Sequence, residues 1–286
     1  MEHALQSQNP LASFMRQPKI YIKLPSNGNF WAPGALQMPA SGELPVFSMT
    51  AKDELMLKVP DALLNGQAVV DVIEHCIPCI KNAWEIPSID LDVILIAIRI
   101  ATYGEKMTLP IHDNIDIEYD VDLRMVLDSL LKNISWDTAI PVTNDLTVFV
   151  KPLNYQKLAK SAIQTFETQK ILQVANNDAV SQDDKIKIFK DSFKKLTEVT
   201  VDVVTNSVYR IDSSQGSTDN PIFIKEFIDN TDKDVFNVIH NHLERLKAQN
   251  SVKPMSIPVT EEMREQGITG ETLEIPLVFD PAAFFG

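Results

Sequence analysis

The sequence predicts an α+β fold with a β-rich N-terminal region containing buried helices, a mostly helical C-terminal region and a short β tail. Three observations carry that prediction. Runs such as "KIYIKLPS" (19–26) and "IDIEYDVDL" (115–123) alternate apolar and polar residues with a period of two, as half-buried strands do. The run "LDVILIAIRIATYG" (91–104) is apolar almost throughout, but Asp92 and Arg99 interrupt it. It falls short of the roughly 20 residues a bilayer span needs, so it reads as a buried core helix. Between 154 and 250 the apolar residues recur at three and four positions, the signature of amphipathic helices.

In chain order, the first 18 residues are polar and form an extended arm. A strand over 19–26 leads into "NGNFWAPG" (27–34), whose Asn-Gly and Pro-Gly pairs are turn chemistry. "ELPVFSMTAKDELMLKVPDALLNG" (43–66) supplies a strand and a polar connection, in which Thr50 and Asp53 have capping-box spacing. From Asp61 the pattern is helical, with Val69, Ile73, Cys76, Ile77 and Ile80 on one face. The next helix runs from Ser88 as N-cap to Gly104 as C-terminal glycine. "MTLPIHDNIDIEYDVDL" (107–123) gives two strands around the turn at His112, Asp113 and Asn114, and "DLTVFVKPLNY" (145–155) gives another.

Tyr155, Leu158, Ala162, Phe166, Gln169 and Leu172 mark a helical face. Ser181 with Asp184 opens a second helix, whose apolar set is Ile186, Phe189, Phe193, Leu196, Val199, Val203 and Ser207. "SSQGSTDNP" (213–221) reads as a loop, with Pro221 suited to a first helical turn. Phe236, Ile239, Leu243 and Leu246 form the last helical face, and the tail returns to short strands around "ITGE" (268–271). The resulting division is an arm (1–18), an α+β domain (19–152), a helical region (153–250) and a β tail (251–286).

Composition narrows the function classes. The 286 residues carry a net charge of −13, which repels a phosphate backbone, and no basic stripe stands out, so the reading is no nucleic acid. No signal-like h-region or spanning segment appears, so the reading is also no membrane. Two cysteines give no disulfide framework and fit a reducing compartment.

Several motifs invite chemistry. In "HCIPC" (75–79), Cys76 and Cys79 have the spacing of thioredoxin-like redox sites. Those sites need a helix after the first cysteine, whereas this pair ends one, where the dipole disfavours thiolate. "HNH" (240–242) suggests a metal, but residues two apart on a helix point roughly 200° from each other. Asp116, Glu118, Asp120 and Asp122 line one face of a strand. In that position they are a solvated face, a docking surface for a basic partner, or, with His112, a metal-dependent hydrolase centre. Phosphate-loop, nucleophile-elbow and zincin motifs do not occur, and 9 glycines leave little material for phosphate-cradling loops. The reading is no enzyme, with no catalytic residue, cofactor or metal assigned. A metal-dependent hydrolase and a cytosolic thiol redox protein are the alternatives.

Four stretches together resemble a known family: "FMRQPKIYIKLPS" (14–26), "LPVFSMTAKDELMLKVPDALLNG" (44–66), "VVDVIEHCIPCIKNAWEIPSIDLDVILIAIRIATYGE" (69–105) and "FDPAAFFG" (279–286). They are similar to the baseplate hub and hub-assembly proteins of contractile-tailed, T-even-like bacteriophages. "IDLDVILIAIRIATYGE" (89–105) and the upstream "LLNG" form the centre of the likeness. The resemblance implies a virion component or assembly factor, working in the host cytoplasm during assembly and carried or not in the tail baseplate. Its partners would be other phage tail and baseplate hub proteins. Relatives carry C-x-x-C pairs in the hairpin after "YGE" and near the C-terminus, where this chain has "IHDN" and "VTEEMREQGITGE" and no cysteine. The candidate partner-binding residues are Asp116, Glu118, Asp120 and Asp122, together with Phe284 and Phe285 of the terminal "AAFFG".

Overall fold

A computed structural model describes residues 14–59, 66–112, 115–132, 136–175, 181–265, 267–275 and 277. It is an α+β fold with several small antiparallel sheets. Strand β1 (Ile20–Ile22) pairs with β2 (Leu44–Val46), placing Ile22 opposite Leu44. The segment read as a polar connection after β2 is a helix, α1 (Ala51–Leu57). Its capping box is complete: the Thr50 side chain accepts from the Asp53 N–H, and the Asp53 carboxylate accepts from the Thr50 N–H at 2.7 Å.

Helix α2 (Gln67–Cys76) starts after Gly66, whose φ of 78° is left-handed. A Cβ there would lie 3.1 Å from Tyr155 Oη and 3.2 Å from Trp84, so the "LLNG" glycine is required by both backbone and space. Helix α3 (Ser88–Tyr103) follows, with Pro87 rather than Ser88 as N-cap and Gly104 (φ 94°) as C-cap. Ser88 is the first helical residue, and its N–H donates to the Leu153 carbonyl at 2.7 Å. Val93 to Ile98 are buried without a break, so α3 is enclosed on all sides and is the centre of the first hydrophobic nucleus.

Strands β3 (Lys106–His112) and β4 (Ile115–Asp122) form a hairpin, and α4 (Leu123–Lys132), unmarked in the sequence reading, continues directly from it. Strands β5 (Ala139–Thr143) and β6 (Leu146–Val150) join β7 (Val208–Ser213) and β8 (Gly216–Thr218) in a four-stranded sheet. The segment read as a loop at 213–221 therefore contains a hairpin turn and a strand. Ser217 Oγ closes it onto Asp212 Oδ1 at 2.5 Å. A second nucleus gathers Ile140, Val148 and Val150 with Val204, Ile239 and Leu246, so it draws on both sides of residue 153.

Two long helices, α5 (Tyr155–Ala175) and α6 (Gln182–Ser207), pack as a hairpin between these strands. Ser181 caps α6 as its sequence predicts. The base of the hairpin is fastened to the body. Tyr155 N–H donates to Ile86 O (2.8 Å), Asn154 Nδ2 to Glu85 Oε2 (2.9 Å) and Lys151 N–H to Ser207 O (2.8 Å), and Trp84 stacks on Tyr155. Helices α7 (Pro221–Asn230) and α8 (Lys233–Asn250) cover the sheet, Pro221 occupying the first turn. The chain ends in β9 (Met255–Pro258), the short α9 (Glu261–Glu265) and β10 (Thr272–Ile275), with β9 and β10 paired.

Candidate functional site

The acidic strand keeps its alternation in three dimensions. On β4, Val121 is buried and Tyr119 half-buried, while Glu118, Asp120 and Asp122 are exposed. The register sets Asp120 opposite Thr108 and Asp122 opposite Lys106. The Thr108 hydroxyl donates to Asp120 Oδ1 at 2.9 Å. Asp122 Oδ1 accepts from the N–H groups of Arg124 (2.9 Å) and Met125 (3.3 Å), capping α4. Two of the carboxylates therefore have local structural partners. The side chains of Asp116 and His112 lie outside the described residues, as do Phe284 and Phe285. Among the described residues, no group of three or more His, Cys, Asp or Glu is placed to hold a metal ion, and no helix is long and apolar enough to cross a membrane.

The "HCIPC" stretch is built into a cluster that one sequence window cannot show. His75 Nδ1–H donates to the Asp53 carboxylate at 2.7 Å, which leaves the other edge of the ring toward solvent. Burial alone would raise the Asp53 carboxyl. The bonds from the Thr50 N–H, His75 and the Thr50 hydroxyl outweigh it and hold the carboxyl below its ordinary value. Arg16, in the segment read as an arm, donates to the carbonyls of Ser48 and His75 and lies over the Phe47 ring. Its charge meets the C-terminal carbonyl end of α2, where a cation is favoured.

Cys76 is fully enclosed, and its thiol is pushed up to about 12, first by burial and then by the Asp53 charge, despite nearby Arg16. A thiol in that state is a poor nucleophile. Asp53 and His75 have the form of an acid–imidazole pair, but the adjacent sulfur points into the core. What the geometry does is pin the N-terminal segment, α1 and the end of α2 to one another.

His242 is likewise structural. Arg245 donates to Nδ1 at 2.8 Å, and since guanidinium cannot accept, Nε2–H must donate to Asp137 O at 3.1 Å. His240 stacks on Phe236 instead, so "HNH" does not converge.

The most deeply placed polar group was not singled out in the sequence. Asp90, on the first turn of α3, is completely buried. Its carboxylate receives the Ser26 N–H (2.8 Å), the Ser26 hydroxyl (2.5 Å) and the Trp31 Nε1–H (2.8 Å). Burial pushes its carboxyl up to about 6, although all three donors pull the other way. The "NGNFW" turn, with Asn27 and Phe30 at positive φ, is thereby locked to the central helix. Asp92, partly buried two residues further along α3, is also raised to about 6 by burial. Only the co-occurrence of "SNGNFW" and "IDLDV" in one chain hinted at this contact.

Two surfaces remain apolar and open. A groove of about 280 Å³ runs between α4 and the segment after α8, lined by Met125, Val126, Leu130, Val252, Met255 and Leu277. On the helical hairpin, Phe166, Ile186 and Phe193 are exposed.

Family models, curated proteins and solved structures all give no match to this chain.

Proposed function

We propose that this chain is a baseplate hub structural or assembly protein of a contractile-tailed, T-even-like bacteriophage, acting through protein–protein contacts without catalysis. The observation that carries this reading is the resemblance of the blocks at 44–66 and 69–105, which contain Gly66, Asp90 and the central helix. Those residues hold the body together, so the likeness concerns the part of the chain that defines its shape. The enclosed, high-pKa thiol of Cys76 and the divided hydrogen bonding of "HNH" support a role without a reacting group. The solvent-facing carboxylates of β4 and the open apolar surfaces support a role in assembly, where complementary charge chiefly sets specificity and association rate.

Affinity capture of the tagged chain from infected cells, read by mass spectrometry, tests this. Tail or baseplate proteins are the expected co-purifying species. Recovery of the chain without any tail component contradicts the reading. Mass spectrometry of purified virions separates a permanent component, present in the particle, from a factor that leaves.

A further inference from the structure

The helical hairpin is packed off its own apolar stripe. Away from the base of the hairpin, the buried positions on α5 and α6 are two small hydroxyl residues, Thr168 and Ser192, each 3% exposed. On α6 the residues Ile186, Phe189, Phe193, Leu196, Thr200 and Val203 alternate steps of three and four, the heptad spacing of a coiled-coil seam. At roughly 100° per residue, the centre of this stripe is turned by about 70° away from Ser192, and its members Ile186 and Phe193 by about 100–120°. It therefore looks sideways out of the hairpin, and Ile186 and Phe193 are 64% and 61% exposed. On α5, the matching steps Leu158, Ala162, Thr165, Gln169 and Leu172 are half-buried or exposed. Two helices thus offer adjoining heptad faces, and the described residues put no third helix against Ile186 and Phe193.

Charge is divided unevenly across the same hairpin. Glu167, Glu198 and Asp202 line the groove on the opposite side, together with Gln164, Ile171 and Lys195. Beyond the apolar stripe, on the outer side of α6, come Lys187, Lys190 and Lys194, all exposed, with Asp183 at the start of the same side and Lys194 lying 3.9 Å from Glu198. Lys170 reaches over the Phe166 ring on α5 at 5.3 Å. The open face is therefore an apolar seam with basic margins in a chain whose net charge is −13. The same face of a second copy would bring lysine against lysine. An amphipathic helix with acidic margins would meet opposite charge on each side, the arrangement by which flanking positions choose coiled-coil partners.

We propose that the distal half of this hairpin receives one amphipathic helix of a partner protein, its apolar stripe on Ile186, Phe189 and Phe193 and its Asp/Glu margin on Lys187, Lys190 and Lys194. The base of the hairpin, tied to the body through Tyr155 and Asn154, presents this face on a fixed arm. The proposal holds whether or not the partner belongs to a phage tail, and the capture experiment above decides that separately.

The test uses the full chain and two labelled synthetic peptides of about four heptads, with Leu and Ile at the seam and either Glu or Lys at every flanking position. Fluorescence anisotropy should show the Glu peptide binding at least about tenfold more tightly than the Lys peptide, and weakening several-fold between about 50 mM and about 500 mM salt. Ile186→Glu with Phe193→Glu should abolish binding while far-ultraviolet circular dichroism and the unfolding midpoint stay unchanged. Lys190→Glu with Lys194→Glu should shift preference toward the Lys peptide. Equal affinity for the two peptides, failure of both to bind, or binding undisturbed by the Glu substitutions overturns the proposal. Sedimentation that shows the chain alone as a dimer, dissociated by Phe193→Glu, overturns it in favour of a second copy on this face.

Discussion

The N-terminal body and the helical hairpin treat their apolar residues in opposite ways. Around α3, Ile94, Ile96 and Ile98 are fully enclosed and even the charged Asp90 is turned inward. Away from the base of the hairpin, the buried positions on α5 and α6 are Thr168 and Ser192, while Phe166, Ile186 and Phe193 face outward. A helix buried all round contributes to folding through every side chain, whereas a helix with an open stripe keeps apolar area for something else. On the proposal above, the contrast assigns stability to one region and recognition to the other. Substitutions can therefore be sorted by which property they disturb.

The largest loss is expected in the body. Asp90→Asn replaces an acceptor oxygen with an NH₂ group that faces other donors, Ser26 and Trp31, so it should destabilise the chain by about 3 kcal/mol in urea unfolding. A loss below about 0.5 kcal/mol would mean that the turn at 26–31 is held by other contacts.

Next comes a pH effect of the same group. The folded carboxyl of Asp90 lies at about 6, above the ordinary value, so its protonated form is the one favoured by the native state. Its contribution is complete below pH 4 and is lost as pH rises through about 6, at a scale of about 3 kcal/mol. Asp92, partly buried and likewise raised to about 6, moves stability in the same direction. Asp53 acts oppositely, its held-down carboxyl contributing above the ordinary value and losing that contribution in stronger acid. Unfolding measured from pH 4 to pH 7 in Asp92→Asn should keep a fall in stability with rising pH, the part that belongs to Asp90; a flat profile would contradict it.

Gly66→Ala should cost about 1–2 kcal/mol, because the added Cβ enters a left-handed position against Tyr155 and Trp84. This substitution sharpens the comparison, since Tyr155 opens the hairpin while Trp84 belongs to the body. A thermal midpoint equal to that of the native chain would show the two regions to be less tightly joined at this contact than the 3.1 Å and 3.2 Å approaches indicate.

Much of the fold is legible along the sequence, because much of it is local. The apolar run of α3, the glycine at 104, the Ser181 cap and the alternation of β4 each follow from side chains within a few positions. The segment at 213–218 misled because Ser and Gly suit a loop; the strand there, β8, pairs with β7, and β7 is itself held in the sheet by β6, about sixty residues earlier. Helix α4 was missed because the acidic residue that caps it, Asp122, reads as the last member of a strand. The contacts that fix the candidate sites were beyond reach for the same reason: Asp90 with Ser26, His75 with Asp53, and Arg16 with Ser48 all join distant positions. The stripe on α6 was visible, but its exposure depends on how α5 is rotated against it, which periodicity alone does not fix.

The most direct measurement compares urea unfolding of the native chain with that of the double substitution Ile186→Ser, Phe193→Ser. If these side chains are held open for a partner, the isolated protein should lose no more than about 0.5 kcal/mol, the range of surface substitutions. A loss above about 2 kcal/mol would place both residues in the protein's own core and contradict the division between a body that folds and a hairpin that binds.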